Sequence, residues 1–337
     1  MKRAGFTLVE MLVAMTIAAV VLAMAAGVYR RQEHSYQLQN EIMERQQNGR
    51  IALDAIMHDL RQAGHITCLQ TSATIDYDGD GNFENILNAQ DSFGSPPAGG
   101  GGTDAVTIVY GRLPHLLASG PPTMEFTSSA TQSVVLGSLD LDADGANDFG
   151  LAAPGIPAMP FGVAYDFVHS VAFTITGGGT TLTTAGPMED FPSGTYVSPV
   201  SAIRYWVDDT NTEGAVDALD PIRPRLVRQN FGCDLGEETV AEGVTNLQIQ
   251  YGVDTNNDGA IDAFVDSFAP VTTATERDVI AVQVWILVRN ATPRPLPVTS
   301  LVNPAGSLTM GNVTVSTAPN VFPQQVLFGQ VKLRNRR

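Results

Sequence analysis

The stretch FTLVEMLVAMTIAAVVLAMAAGVY, residues 6–29, decides how the rest of the chain is read, because its 24 residues carry a single charge, Glu10. As an α-helix at about 1.5 Å per residue it exceeds the roughly 30 Å hydrocarbon core of a bilayer. Before it, MKRAG supplies Lys2 and Arg3 and no acid. By the positive-inside rule that end stays in the cytoplasm and the remainder crosses the membrane. After it, residues 30–63 contain no proline and are rich in helix formers. Leu53, Ile56, Met57, Leu60 and Ala63 fall at i, i+3, i+4, i+7 and i+10, an amphipathic stripe, and Gly64 supplies a C-cap. A continuous helix from Phe6 to about Ala63 would be roughly 85 Å long. Its first half is apolar all round and its second half on one face.

A cleaved secretory signal is the competing reading, since Ala23-Met24-Ala25 forms an A-x-A site and cleavage there would start the mature chain at Ala26. Two features oppose it. An acid deep in a membrane helix costs on the order of 2.5–3.5 kcal/mol, so Glu10 calls for a function. Nor does any helix breaker follow the A-x-A site.

The run Lys2-Arg3-Ala4-Gly5-Phe6-Thr7-Leu8-Val9-Glu10 resembles the cleavage and methylation motif of type IV pilins and type II secretion pseudopilins. The resemblance implies that a prepilin peptidase cuts between Gly5 and Phe6 and methylates the new amino terminus. It also implies that Glu10 pairs in the fibre with the amino terminus of a neighbouring Phe6. A buried carboxylate without a partner is heavily penalised and one beside a protonated amine is compensated, so Glu10 would act as a register pin for assembly. Many major pilins carry a proline in mid-helix; Gly27 occupies that region here, and no fixed kink is expected.

Within that family, the segment from Asp59 to His65 followed by Cys68 resembles the helix exit of PilW-type minor pilins. The phrases Ala202–Val207, Leu226–Arg228, Val240–Asp254, Val284–Arg289 and Lys332–Arg337 are similar to the strand order of that group. The runner-up is a J-type type II secretion pseudopilin, usually shorter. Residue by residue, Leu247, Ile249, Tyr251 and Val253 alternate with Asn246, Gln248 and Gln250, and Val282, Val284, Ile286 and Val288 form a second period-two set. The expected fold is α+β: a long N-terminal helix packed on a mostly antiparallel sheet, with residues 1–5 as leader, 6–29 as membrane and assembly half, 30–64 as amphipathic half, and 65–337 as an exported β-rich domain.

Composition agrees with an exported, non-nucleic-acid-binding body. The chain has 19 basic and 35 acidic residues, a net charge of −16, the opposite of what phosphate binding needs. Two cysteines exclude a disulfide-dense scaffold. Gly 32 and Pro 20 with 7% aromatics point to a turn-rich β body.

Four segments share the pattern Asp-x-[Asp/Asn]-x-[Asp/Glu]-Gly-x-x-[Asp/Glu]. They are Asp76, Asp78, Asp80 and Glu84; Asp140, Asp142, Asp144 and Asp148; Asp254, Asn256, Asp258 and Asp262; and the weaker Asp209, Asn211, Glu213 and Asp217. Oxygens at positions 1, 3 and 5 converge when a glycine at position 6 allows the turn, which suits Ca²⁺. Position 12, where an EF-hand has a bidentate Glu, holds Leu87, Leu151 and Val265 in the first three loops and Asp220 in the fourth. Calcium-stapled hairpin loops are therefore one expectation, and plain Asp/Asn/Gly turn chemistry is the other.

Cys68 and Cys233 are expected to form a disulfide in an exported body, the alternative being two buried free thiols. The histidines His34, His58, His65, His115 and His169 lack metal-ligand spacing, and no G-x-S-x-G, H-E-x-x-H, C-x-x-C or phosphate-binding loop occurs. No enzymatic activity is expected. The expected product is an inner-membrane prepilin, single-pass with a cytoplasmic N-terminus, that moves to a cell-surface pilus used in adhesion and twitching motility. Its expected partners are other pilins, prepilin peptidase, the inner-membrane assembly machinery and lipid. A secreted calcium-binding module is the second class of function.

Overall fold

The computed structural model describes residues 7–63, 87–93, 102–111, 124–125, 131–135, 161–165, 170–177, 181–185, 196–208, 224–230, 237–266, 279–289, 306–311, 313–317 and 324–333. The fold is α+β, with a single helix among the described residues, α1 (Leu8–Gln62), followed by antiparallel strands. Chain contacts divide the protein into residues 1–47 and 48–337.

In the first unit α1 is long and apolar enough to cross a membrane, and none of that apolar window is buried within the protein. A core helix is covered by its own fold, and exposure of this apolar segment among the described residues is consistent with anchoring in a membrane. The helix runs through Gly27 without interruption, and a Cβ placed on Gly27 would meet nothing within 4 Å.

The second unit holds the end of α1 and all the described strands. One ten-stranded sheet contains β1 (Leu87–Phe93), β2 (Thr103–Gly111), β3 (Met124–Glu125), β4 (Thr131–Val135), β5 (Phe161–Tyr165), β6 (Ser170–Gly177), β7 (Thr181–Ala185), β8 (Tyr196–Asp208), β9 (Arg225–Asn230) and β10 (Glu237–Glu242). Its path is β1-β2-β8-β5-β6-β7-β4-β3, with β9 also on β8 and β10 on β9. The long β8 makes this branching possible: its first part, Tyr196–Pro199, pairs with β5, and its last part, Ile203–Asp208, pairs with β9. A four-stranded sheet of order β12-β11-β13-β16 contains β11 (Val244–Val253), β12 (Ala263–Val265), β13 (Val279–Arg289) and β16 (Gln324–Lys332), while β14 (Gly306–Met310) and β15 (Val313–Thr317) form a hairpin.

The two alternating sets read from the sequence both face the core. Leu247, Ile249, Tyr251 and Val253 on β11, and Val282, Val284, Ile286 and Val288 on β13, are all buried. The end of α1 packs with both sheets, and Ala52, Ile56, Met57, Leu60 and Ala63 join Val106, Ile108, Ile203 and Tyr205 with them in one core. Leu53 is only partly buried against it. Helix and sheet approach closely through reciprocal glycines. A Cβ on Gly49 would lie 2.6 Å from Leu327 Cδ1, and one on Gly329 would lie 3.1 Å from Leu53 Cδ1.

The polar face of β11 is not a solvent face. Asn246 and Gln248 are buried, and Gln248 Nε2 donates to the Gly102 carbonyl at 2.7 Å and to Asn246 Oδ1 at 2.9 Å. Beside them the first residues of β2 cover backbone donors that no strand takes. Leu247 N donates to Thr103 Oγ1 at 3.1 Å, and Ile249 N donates to Asp104 Oδ2 at 2.9 Å. Side chains of one sheet thus complete the edge of the other, which buried backbone groups require. Gly243, between β10 and β11, has φ +80°. Its N–H donates to the Pro224 carbonyl at 2.7 Å, and a Cβ there would sit 2.5 Å from the Arg289 carbonyl oxygen.

Candidate assembly site

The start of α1 is built by Thr7 and Glu10. With Leu8 the first helical residue, Thr7 is the N-cap and Glu10 the third residue of the first turn. Glu10 N donates to Thr7 Oγ1 at 3.3 Å, while Thr7 N and Thr7 Oγ1 each donate to Glu10 Oε2 at 3.2 Å. This is a capping box, which satisfies helix-end donors reciprocally, and it sets a carboxylate at the positive end of the helix dipole. The acid that looked costly in mid-membrane is therefore a first-turn residue with donors of its own. Both residues are exposed, so the carboxylate remains open to a partner. Gly5 and Phe6 lie outside the described residues.

Where α1 ends, a buried polar network ties it to the ten-stranded sheet. Asp59 sits among Ile56, Leu60 and Ala63 on the buried face and is 4% exposed. Tyr205 OH on β8 donates to Asp59 Oδ2 at 2.6 Å. Arg228 Nε on β9 lies 3.4 Å from the same oxygen, an ion-pair approach off the line of a hydrogen bond, since that nitrogen has no hydrogen-bond acceptor. Arg228 Nη1 also reaches Glu238 Oε2 on β10 at 3.6 Å. Burial, then the adjacent Asp59 charge and hydrogen bond, push the Tyr205 phenol far above its usual range, so it stays a donor. Burial works against the Arg228 charge, but Tyr205, Asp59, Tyr110 and Glu238 outweigh it and hold the guanidinium protonated. The sequence reading missed this network. The available signal was an acid at the i+3 position from Ile56 and the i−4 position from Ala63, inside the apolar stripe.

Of the acidic loops, only Asp254–Asp262, between β11 and β12, lies within the described residues. Its turn needs positive φ at Asn257 (61°) and Gly259 (89°). The Asp254 carboxylate, 4% exposed, accepts from Asp258 N at 3.1 Å and Gly259 N at 2.7 Å. Asn256 Oδ1 accepts from Asp258 N at 2.9 Å, and Asp258 Oδ1 from Ala260 N at 2.7 Å. Asp262 Oδ2 accepts from Thr255 Oγ1 at 2.7 Å and Thr255 N at 2.8 Å, and these bonds lower its pKa below the ordinary carboxylate value. Among the described residues no group of three or more His, Cys, Asp or Glu is set to hold a metal. Asn256 Oδ1 and Asp258 Oδ1 each accept one bond here and keep a second lone pair for a hard cation, whereas Asp262 Oδ2 already accepts two. The loops at 76–84, 140–148 and 209–217, and both Cys68 and Cys233, lie outside the described residues. His34 and His58 are on exposed helix positions.

Comparison with known proteins bears on both ends of the chain. Residues 1–26 match the family model of the prokaryotic N-terminal methylation motif, and residues 204–335 match that of the type IV pilus-assembly protein W. The first match contains Glu10 and the apolar start of α1; the second contains β9 to β16, Tyr205, Arg228 and the Asp254–Asp262 loop. No curated protein and no solved structure matches the chain. The pilus-assembly family and the methylation motif support a pilin-like role, with other pilins and a prepilin peptidase as the partner classes they imply. The apolar helix is consistent with anchoring in a membrane. An exposed apolar helix opened by a methylation motif and a β body that matches pilus-assembly protein W over residues 204–335 together make this chain similar to a PilW-like prepilin.

Proposed function

We propose that the chain is a minor pilin of a type IV pilus, made as a single-pass inner-membrane prepilin with a cytoplasmic N-terminus. It is cut after Gly5, methylated at Phe6, and is assembled into or primes the fibre that serves adhesion and twitching motility. The observation that carries this reading is the conjunction of the methylation-motif match with an unburied apolar helix on the same residues. The match of the body to a pilus-assembly family favours a pilus over a type II secretion pseudopilus. In this role the protein is a structural subunit and not an enzyme. Glu10 argues against the terminal position at the fibre tip, where no subunit lies above to satisfy its charge. Sheared fibres from the native host are expected to contain the chain at low stoichiometry, and deletion of its gene is expected to reduce surface pili. Fibres that lack it and form in normal numbers without it would contradict the proposal.

The acidic loops support a subsidiary proposal, Ca²⁺ binding outside the cell. A loop shaped around Asp254 with Gly259 at the turn supports it by leaving a lone pair on Asn256 Oδ1 and on Asp258 Oδ1 for a hard cation. Calcium at ten times its dissociation constant is expected to raise the Tm by about 3 °C or more, reversed by chelator. An unchanged Tm at millimolar calcium would remove the idea.

A further inference from the structure

The end of α1 from Asn48 to Gln62, with Ala63 after it, seats on the sheets along a face whose buried residues are apolar except at Asp59, with one polar contact at its near end, where Asn48 Nδ2 donates to the Glu242 carbonyl at 3.3 Å. We propose that Asp59, with Tyr205 and Arg228, is a second register pin, internal to the subunit, that fixes the depth and rotation at which the helix docks in its own body. The apolar part of the interface cannot do this alone. Sliding α1 by one turn moves it about 5.4 Å and replaces each residue by the one four positions away, so Ile56 gives way to Leu60 or Ala52 and Leu60 to Gly64 or Ile56, most core seats staying apolar while Arg61 enters at Met57 or Asn48 at Ala52. The glycine notch is soft as well. What crowds Gly49 most closely is the terminal methyl of Leu327, with the stiffer Val288 Cγ2 behind it at 3.2 Å, and what crowds Gly329 is the end of Leu53 and the Met57 sulfur, so the closest contacts are flexible tips able to swing aside.

The polar contact is different in kind. At Asp59 a one-turn slide brings Ala55 or Ala63, neither of which accepts a hydrogen bond from its side chain. Tyr205, 1% exposed, would then lose the acceptor 2.6 Å away, and Arg228 its charge partner at 3.4 Å. Asp59 itself would be carried onto apolar surface. Only one seating satisfies all three groups, and unsatisfied buried polar groups are what make alternative packings unfavourable. Arg228 extends the pin outward to Glu238 on β10, so helix, β8, β9 and β10 are joined at one point.

The pin is separable from stability, because an ion pair replaced entirely by apolar side chains of similar volume often folds as well or better. The test uses the full chain in detergent micelles, with Cys68 and Cys233 replaced by serine and spin labels on cysteines at the exposed positions 54 and 330. One distance is expected for the otherwise unaltered chain. Asp59→Leu/Tyr205→Phe/Arg228→Met is expected to melt within a few degrees of it and to show a second population displaced by up to about 5 Å. A single unaltered distance in that variant would overturn the proposal. If the triple variant does not fold, Asp59→Asn and Asp59→Ala decide on the same labels. Asparagine keeps an acceptor for Tyr205 and preserves the single distance, alanine splits or broadens it, and identical single distances in both overturn the pin.

Discussion

Glu10→Val subunits are expected to reach the membrane in normal amounts and to enter fibres at least about 100-fold less efficiently than the unaltered chain. The estimate takes the lower end of the roughly 3–5 kcal/mol lost when a buried charge pair loses one member, with each 1.4 kcal/mol worth a factor of ten. Insertion should survive, because valine makes an already apolar helix more so. Valine also removes the capping box with Thr7, worth about 1 kcal/mol of helix-end stability, so the loss could be misread as fraying. Glu10→Gln separates the two effects. Glutamine serves in a capping box but cannot pair with a protonated amine, so it should keep the helix start and still lose most incorporation. Equal entry of Glu10→Val into sheared fibres would remove Glu10 from assembly. Normal entry of Glu10→Gln alone would assign it to capping.

The second large effect is expected at Asp59. Asp59→Ala should destabilise the body by about 3 kcal/mol, read as a lowered denaturation midpoint of the full chain in detergent, because it leaves Tyr205 and Arg228 facing an apolar helix. The lower end of the usual range applies because the Arg228 side chain is 30% exposed and regains part of its hydration. Arg228→Met should cost less than Asp59→Ala, since the Tyr205 hydroxyl still satisfies the carboxylate. The two changes combined should be less than additive. Strict additivity would mean that Asp59 and Arg228 do not act as a pair.

The long helix was legible in the sequence because its signals are local: an uninterrupted apolar run, no proline, and a stripe at helical spacing. The same holds for β11 and β13, whose alternation survives because one face of each meets the core. Strand β2 was not legible, for the opposite reason. Seven of its first residues in succession are buried, which erases the period-two signal as in strands covered on both faces. Pairing order was also out of reach. That β13 lies between β11 and β16, or that β8 serves β2, β5 and β9, depends on crossovers that no local pattern encodes. Asp59 illustrates the limit at the site level. Its position in the stripe could be read, but its acceptor role depends on Tyr205, 146 residues away, and Asp104 likewise serves Ile249 from 145 residues away. Glu10 was the reverse case: its motif was plain, and its bonds to Thr7 needed only the first turn of the helix.

The central claim is that this chain is made as a prepilin, and the mature N-terminus tests it most directly. Intact and N-terminal peptide mass spectrometry of the membrane-bound protein from its native host should find a chain that starts at N-methylated Phe6, and a strain lacking prepilin peptidase should retain Met1–Gly5. A mature chain that starts at Ala26, or one that keeps residues 1–5 while the peptidase is active, would contradict the account.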